Sequence, residues 1–158
     1  RRSEIDIKSV GVGNKTVCGS HGISVNCDIS SDEICEISDC SGVILPGGMP
    51  GTLNLFDCEK VHEVIDYCKS NDKLLCAICA APLILGRKCL LNGIQAVCFP
   101  GFEDELKGAI ISDKFVCTDG KVITAKGMGS AVNFGLAVVA AFKGQAFADS
   151  LKATLQCS

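Results

Sequence analysis

Leu74-Leu-Cys-Ala-Ile78 is apolar at every position, and Cys79-Ala-Ala-Pro-Leu-Ile-Leu85 follows it without a break. The first stretch reads as a strand buried on both faces. The second reads as a helix from Ala80 with Pro82 in its first turn, where a missing N–H costs nothing. Gly42-Val-Ile-Leu45 is another apolar run, closed by Pro46-Gly47-Gly48, as a buried parallel strand ends in a loop. Between the two, Asp57 to Ser70 places Val61, Val64, Ile65 and Cys68 at i, i+3, i+4 and i+7, the pattern of one amphipathic helix. Apolar strands alternating with helices predict an α/β fold whose mostly parallel sheet is covered on both faces.

The rest of the chain extends this pattern. Residues 5–12 alternate as a strand, Gly22 to Asn26 suits a second short one, and Ser30 offers a cap for a helical turn over 34–37. Gln95 to Cys98 predicts a strand, and 115–124 a hairpin turning at Asp119-Gly120. Ser130 caps a helix over Ala131 to Lys143, apolar almost all round and therefore expected to be buried, which Gly144 ends. A last helix runs from about Gln145 to Leu155.

At roughly 150 residues per domain, 158 residues make one domain. Twelve cysteines are the unusual number in the composition. A disulfide scaffold would explain them in a short secreted module, but this chain is 47% hydrophobic and can build an ordinary core. Cys76, Cys79, Cys98 and Cys117 lie within apolar stretches, as small buried hydrophobes do. A reducing, cytoplasmic setting with mostly free thiols follows. Fifteen Lys and Arg against eighteen Asp and Glu, with no Trp and one Tyr, give no basic stacking surface for nucleic acid. The longest apolar run, Cys76 to Gly86, is too short to span a bilayer and is interrupted by Pro82.

Ligands of open α/β sheets bind at the carboxyl ends of the strands, which singles out the loops after Leu45, Ile78 and Ala125. Cys79 stands where strand meets helix, a placement that resembles a nucleophile elbow and favours thiolate over thiol. Position alone leaves two readings open, a nucleophile or one more buried thiol. Cys76-Ala-Ile-Cys79 also spells a C-x-x-C pair, but Cys76 falls inside the strand, and no second pair or paired histidines complete a metal site. Pro46-Gly-Gly-Met-Pro-Gly51 is either a tight turn or a set of amide donors facing Cys79, able to hold a developing alkoxide. Gly127-Met-Gly129 lacks the third glycine of a dinucleotide fingerprint and reads as a loop lining the site. His21, in a turn before a strand, is the histidine able to reach a site, while His62 sits beside the apolar stripe of its helix and is expected at the surface.

Val43-Ile-Leu-Pro-Gly-Gly48, Ala77-Ile-Cys-Ala-Ala-Pro82, Cys98-Phe-Pro-Gly-Phe-Glu103, Ala125-Lys-Gly-Met-Gly-Ser130 and Asn133-Phe-Gly-Leu-Ala137 together resemble the ThiJ/PfpI family. The likeness runs over nearly the whole chain and is greatest to the subgroup of the parkinsonism-associated deglycase and bacterial thiazole monophosphate biosynthesis proteins. It implies a flavodoxin-like three-layer sandwich of the class I glutamine amidotransferase-like type, a homodimer, and a cofactor-free glyoxalase or deglycase acting on reactive α-oxoaldehydes or their adducts. Carried onto this chain, Cys79 is the nucleophile, the amides of Gly47, Gly48 and Ala80 are the oxyanion donors, and His21, Phe99, Pro100 and Gly127 line the pocket, with no metal. Two other roles implied by the resemblance are an oxidative-stress sensor or chaperone using Cys79, and an accessory protein of thiazole metabolism.

This chain departs from the family pattern at three places. Ala80 stands where peptidase-like cousins carry His, which argues against a Cys-His peptidase, and Phe99 stands where some relatives place a His. The third departure is the family's glutamate beside the thiol, which belongs to an N-terminal strand and helix with no counterpart in the sequence. Residues 1–158 are therefore expected to be one ThiJ/PfpI-like domain short of its first strand and most of its first helix, as part of a longer chain.

Overall fold

In a computed structural model, which describes residues 1–157, Leu74–Ile78 forms β6, and the alternation of its side chains divides the core in two. Leu75 and Ala77 pack with Leu45, Ile65, Cys68 and Leu83 to Leu85 on one side. Leu74 and Cys76 pack with Ile123, Ala125, Phe134 and Val138 on the other. Successive side chains of a strand point to opposite faces, so a strand apolar throughout needs a cover on each.

Those covers make the three layers. The sheet runs β5 (Gly42–Leu45), β6, β10 (Val122–Ala125) and β9 (Val116–Asp119). The first three are parallel, with Val43 opposite Leu75 and Cys76 opposite Ile123, and β9 is antiparallel to β10. On one face lie α2 (Glu59–Ser70), through Ile65 and Cys68, and α3 (Pro82–Arg87). On the other lies α4 (Ala131–Lys143), packed beside α5 (Gln145–Thr154). Parallel strands bring the carboxyl ends of β5, β6 and β10 to one edge.

Three small sheets surround this body. β1 (Val10–Gly11) is parallel to β4 (Ile29–Ser30), β2 (Thr16–Cys18) and β3 (Ser24–Asn26) form a hairpin, and β7 (Gln95–Ala96) is parallel to β8 (Ile110–Ile111). The turn between β9 and β10 lies at Gly120, whose φ of 56° is left-handed.

Several sequence expectations change. The strand over 5–12 contracts to Val10–Gly11, because Asp28 rather than a neighbouring strand anchors the backbone before it. The carboxylate accepts the Ser9 amide and hydroxyl at 2.8 Å each and pairs with Arg1. Those bonds, led by the Ser9 amide, hold the Asp28 carboxyl well below the usual carboxylate range. The turn expected over 34–37 forms instead over Ser31–Glu33, where Glu33 reaches back to accept the Ser30 amide at 2.7 Å and closes the turn early. The 57–70 helix starts at Glu59 behind a separate α1 (Gly51–Phe56), and the next helix starts at Pro82.

α4 is not buried all round. Phe134 and Val138 face the sheet and Val139 is buried as well, while Val132 and Phe142 are 51% and 41% exposed. Hydrophobicity put the helix on the sheet but did not supply a neighbour for its outer face. Ser130 does precede this helix, but its hydroxyl turns back, donating to the Gly127 carbonyl at 2.8 Å and accepting the Gly127 amide at 3.2 Å.

One buried polar contact is open to direct measurement. Thr124, fully buried in β10, accepts the Val97 amide at 2.9 Å. Thr124→Val keeps the shape and orphans that amide, and is expected to lower unfolding free energy in urea by about 1–3 kcal/mol. Thr118→Val on exposed β9 is expected to change it by less than about 0.5 kcal/mol.

Candidate functional site

Cys79 follows β6 directly and takes a left-handed φ of 65°, a conformation uncommon outside glycine. Both of its backbone groups are engaged. The Cys79 amide donates to the Ala125 carbonyl at 2.9 Å, and the Cys79 carbonyl accepts the Phe99 amide at 2.8 Å. The sharp turn leads into α3, where Ala81 is the cap and Pro82 the first residue. Backbone held in this way leaves the side chain as the free part of the residue, and Cys79 is half-exposed while Cys76, Cys98 and Cys117 are buried.

The Pro46-Gly-Gly48 loop meets this turn at closest range. A Cβ on Gly47 would stand 2.5 Å from both the Cys79 Cβ and the Ile78 carbonyl oxygen, and 2.9 Å from the Ala80 amide nitrogen. Glycine is required there by close approach, and Gly48 beside it needs a φ of 93°. Among the described residues, neither the Gly48 nor the Ala80 amide donates to another backbone carbonyl. Phe99, 46% exposed, lays its ring over Gly127, where a Cβ would come within 3.3 Å of it. Pro100 continues the same loop at the surface. Four segments thus converge on Cys79, namely 46–48, 79–82, 98–100 and 125–127.

His21 lies elsewhere. It occupies the exposed tip of the β2–β3 hairpin, its Nδ1 lying 3.1 Å from the Ser20 hydroxyl, and among the described residues no hydrogen bond joins it to the Cys79 loops. His62 is half-buried rather than solvated, bridging the Phe56 carbonyl and the Lys88 ammonium. Among the described residues neither Glu103 nor Glu105 hydrogen-bonds the sulfur. Glu103 accepts the Gly101 amide at 2.7 Å, and Glu105 takes Arg87 through two bonds of 2.9 and 2.8 Å, which hold its carboxyl below the usual range. Arg87 in turn stacks over the Phe56 ring at 5.1 Å. Just before it, Gly86 has no room for a Cβ, because one would overlap the Glu105 carbonyl. Among the described residues no side chain hydrogen-bonds the Cys79 sulfur, and no cluster of three or more ligating side chains forms a metal site.

Cys98, expected from its apolar stretch to be buried, is buried, and it is also a neighbour of Cys79. Burial pushes its thiol up to about 11, with the charges of Glu103 and Cys79 adding to that rise. The signal was present in the chain: an apolar segment ends at Cys98, one residue before the Phe99 loop. Burial likewise pushes Cys76 up to about 12, so the C-x-x-C spacing joins a half-exposed sulfur to one locked in the protonated form. Two surface depressions, one lined by Arg1, Ile7 and Asp28 and the other by Val116, Asn133 and Lys152, lie away from Cys79.

Known proteins match this arrangement over most of its length. The DJ-1/PfpI family profile covers residues 1–141. The chain belongs to the DJ-1/PfpI family. It is 30% identical over 159 residues to the Parkinson disease protein 7 homolog of Danio rerio, covering 98% of this chain and 84% of that protein. DJ-1 homolog B of Arabidopsis thaliana is 32% identical over 142 residues, 88% of this chain. The chain spans only 32% and 40% of the two Arabidopsis relatives' length. Among solved structures, oxidized Toxoplasma gondii DJ-1 superposes with a TM-score of 0.92 at 26% identity, covering 99% of this chain and 86% of that one. A cysteine-to-alanine mutant of a DJ-1 superfamily protein from Salmonella typhimurium gives 0.91 at 26%, with the same coverage. The three-layer body is therefore the flavodoxin-like fold of DJ-1/PfpI proteins.

Two tests follow from the geometry. The alkylated species is the thiolate, whose fraction at pH 7 for thiols at about 11 and 12 is on the order of 10⁻⁴ and 10⁻⁵. Iodoacetamide at pH 7 is expected to label Cys79 in the folded protein and to spare Cys98 and Cys76 until denaturant is added, as peptide mass mapping would read. Gly47→Ala is expected to lower stability by about 1–3 kcal/mol and to slow Cys79 labelling, because the new methyl must displace the turn.

Proposed function

We propose that this DJ-1/PfpI chain is a cysteine-dependent, cofactor-free enzyme of glyoxalase or deglycase type, acting through Cys79 on reactive α-oxoaldehydes or their adducts. The observation that carries this reading is the left-handed Cys79 turn packed on the side-chain-free backbone of Gly47. The reading is supported by the amides of Gly48 and Ala80, which among the described residues have no backbone acceptor of their own.

On methylglyoxal the thiolate adds to the aldehyde carbon, forming a C–S bond and leaving the negative charge on oxygen. The Gly48 and Ala80 amides stabilise that charge. The hemithioacetal then loses the proton on its former aldehyde carbon and regains one on the adjacent carbon, giving the thioester of lactate. Water cleaves the thioester, releasing lactate and restoring the thiol. Glu103 and Glu105 are committed to other partners, so the proton carrier in this scheme is a group other than these two. Phe99 and Gly127 form the wall against which the small substrate lies. The same reading makes the working form a cytoplasmic homodimer.

A second reading has its own support. The Cys79 sulfur has no carboxylate beside it among the described residues, and the superposing Toxoplasma gondii structure is of oxidized DJ-1. In this alternative Cys79 is an oxidative-stress sensor that a peroxide converts to sulfinic acid.

One assay separates the two. Lactate formation from methylglyoxal without glutathione is expected for the wild type and is expected to fall at least about a thousandfold in Cys79→Ala. Equal turnover by that variant would overturn the enzyme reading. A wild type that makes no lactate yet takes up two oxygens selectively at Cys79 under low peroxide would establish the sensor.

A further inference from the structure

Twelve cysteines are scattered over this chain, and among the described residues one pair of sulfurs is in hydrogen-bond contact. Cys40, in the loop before β5, and Cys68, near the end of α2, lie with their sulfurs 3.9 Å apart. The pair sits on the α2 side of the sheet and shares no hydrogen bond with the segments around Cys79. We propose that Cys40 and Cys68 are a second redox site, closing to a reversible disulfide when a peroxide oxidises it.

The two positions differ as the two halves of such a site must. Cys40 is half-exposed, so a small oxidant reaches it, whereas Cys68 is fully buried and meets only its partner. The hydrogen bond from Cys68 lowers the Cys40 thiol and raises the Cys68 thiol, and the Lys73 ammonium favours charge on Cys40. These directions make Cys40 the readier of the two to lose its proton.

The backbone is already fixed for closure. The Tyr67 hydroxyl, one residue before Cys68, donates to the Ser38 carbonyl at 2.7 Å, two residues before Cys40. In the reduced pair the Cys40 thiol donates to the Gly42 carbonyl at 3.1 Å, which holds the sulfur at the start of β5. Bond formation needs the sulfurs to approach from 3.9 Å to about 2.05 Å, a shift that side-chain rotation supplies.

The chemistry balances in two steps. The Cys40 sulfur attacks one oxygen of the peroxide and the O–O bond breaks, so that with hydrogen peroxide Cys40 becomes a sulfenic acid and one water leaves. The Cys68 sulfur then attacks the sulfenic sulfur. The S–O bond breaks, and the hydroxyl departs as a second water carrying the Cys68 proton. Each sulfur gives up one electron overall, and the peroxide takes both.

The sequence makes the test direct. Cleavage after acidic residues releases Cys40 in peptide 40–57 and Cys68 in peptide 67–72, each holding a single cysteine. The reduced chain is treated with one equivalent of hydrogen peroxide, blocked with N-ethylmaleimide, denatured, blocked again and digested. The expected product is one linked species, 40–57 joined to 67–72, which dithiothreitol separates. It is expected to form equally in Cys79→Ala and to vanish in Cys40→Ala, a substitution at a half-exposed loop position. Recovery of both peptides carrying N-ethylmaleimide, or of 40–57 joined to a different cysteine or carrying sulfinate, would overturn the proposal.

Discussion

The peptide at Cys79 is the constraint on which the site depends. A non-glycine residue in left-handed backbone carries a strain of about 1–3 kcal/mol and persists only where its surroundings over-determine it. Here they do so from three directions. β10 supplies the Ala125 carbonyl, the segment after β7 supplies the Phe99 amide, and the loop after β5 presents Gly47 with nothing between its backbone and the turn. The parallel register of β5, β6 and β10 is what brings these ends together, since an antiparallel neighbour would carry its loop to the opposite edge. Sheet topology and the Cys79 turn are thus one arrangement seen at two scales.

Much of that arrangement could be read from residue types in order. Leu74 to Ile78 announces a buried parallel strand, Pro82 and Gly144 mark helix limits, and Asp119-Gly120 marks a hairpin, whereas Gly42 to Leu45, expected to be buried, is a parallel strand at the sheet edge with Ile44 44% exposed. Cys79, Gly47, Phe99 and Gly127 could be named because they sit at strand ends, where topology directs attention. What local pattern could not supply was contact across distance. Residues 5–9 alternate as a strand should, yet Asp28 holds their end by side-chain bonds. His62 looked solvated on a helical wheel because nothing in the wheel shows Phe56 or Lys88. An apolar helix such as α4 reports its preference for cover, while the cover itself is a property of the neighbours. Cys40 and Cys68, twenty-eight positions apart, carry no shared signal at all.

The cysteines show how far one residue type can be differentiated by place. Burial first of all holds Cys76 and Cys98 as inert thiols, with values raised to about 12 and 11. Exposure and backbone geometry set Cys79 apart, and proximity to a partner sets Cys40 apart. A high cysteine content in such a chain is a mixture of buried packing residues and a few that stay accessible, and the distinction lies in each thiol's surroundings rather than in the sequence count.

The Arg87–Glu105 pair lies well away from the sulfur, yet it joins two parts of the site. Arg87 ends α3, the helix that begins just after Cys79, and Glu105 ends the short turn that follows the Phe99 loop. With Gly86 pressed on the Glu105 backbone and Arg87 grasping its carboxylate over Phe56, helix and loop form a closed frame, fastened at one end by the Cys79–Phe99 hydrogen bond and at the other by the ion pair. A frame fastened at both ends does not open by hinging. The spacing between helix and loop beside Cys79 is then set from both ends by bonds of the fold itself, as the span of a bridge is set by its two piers.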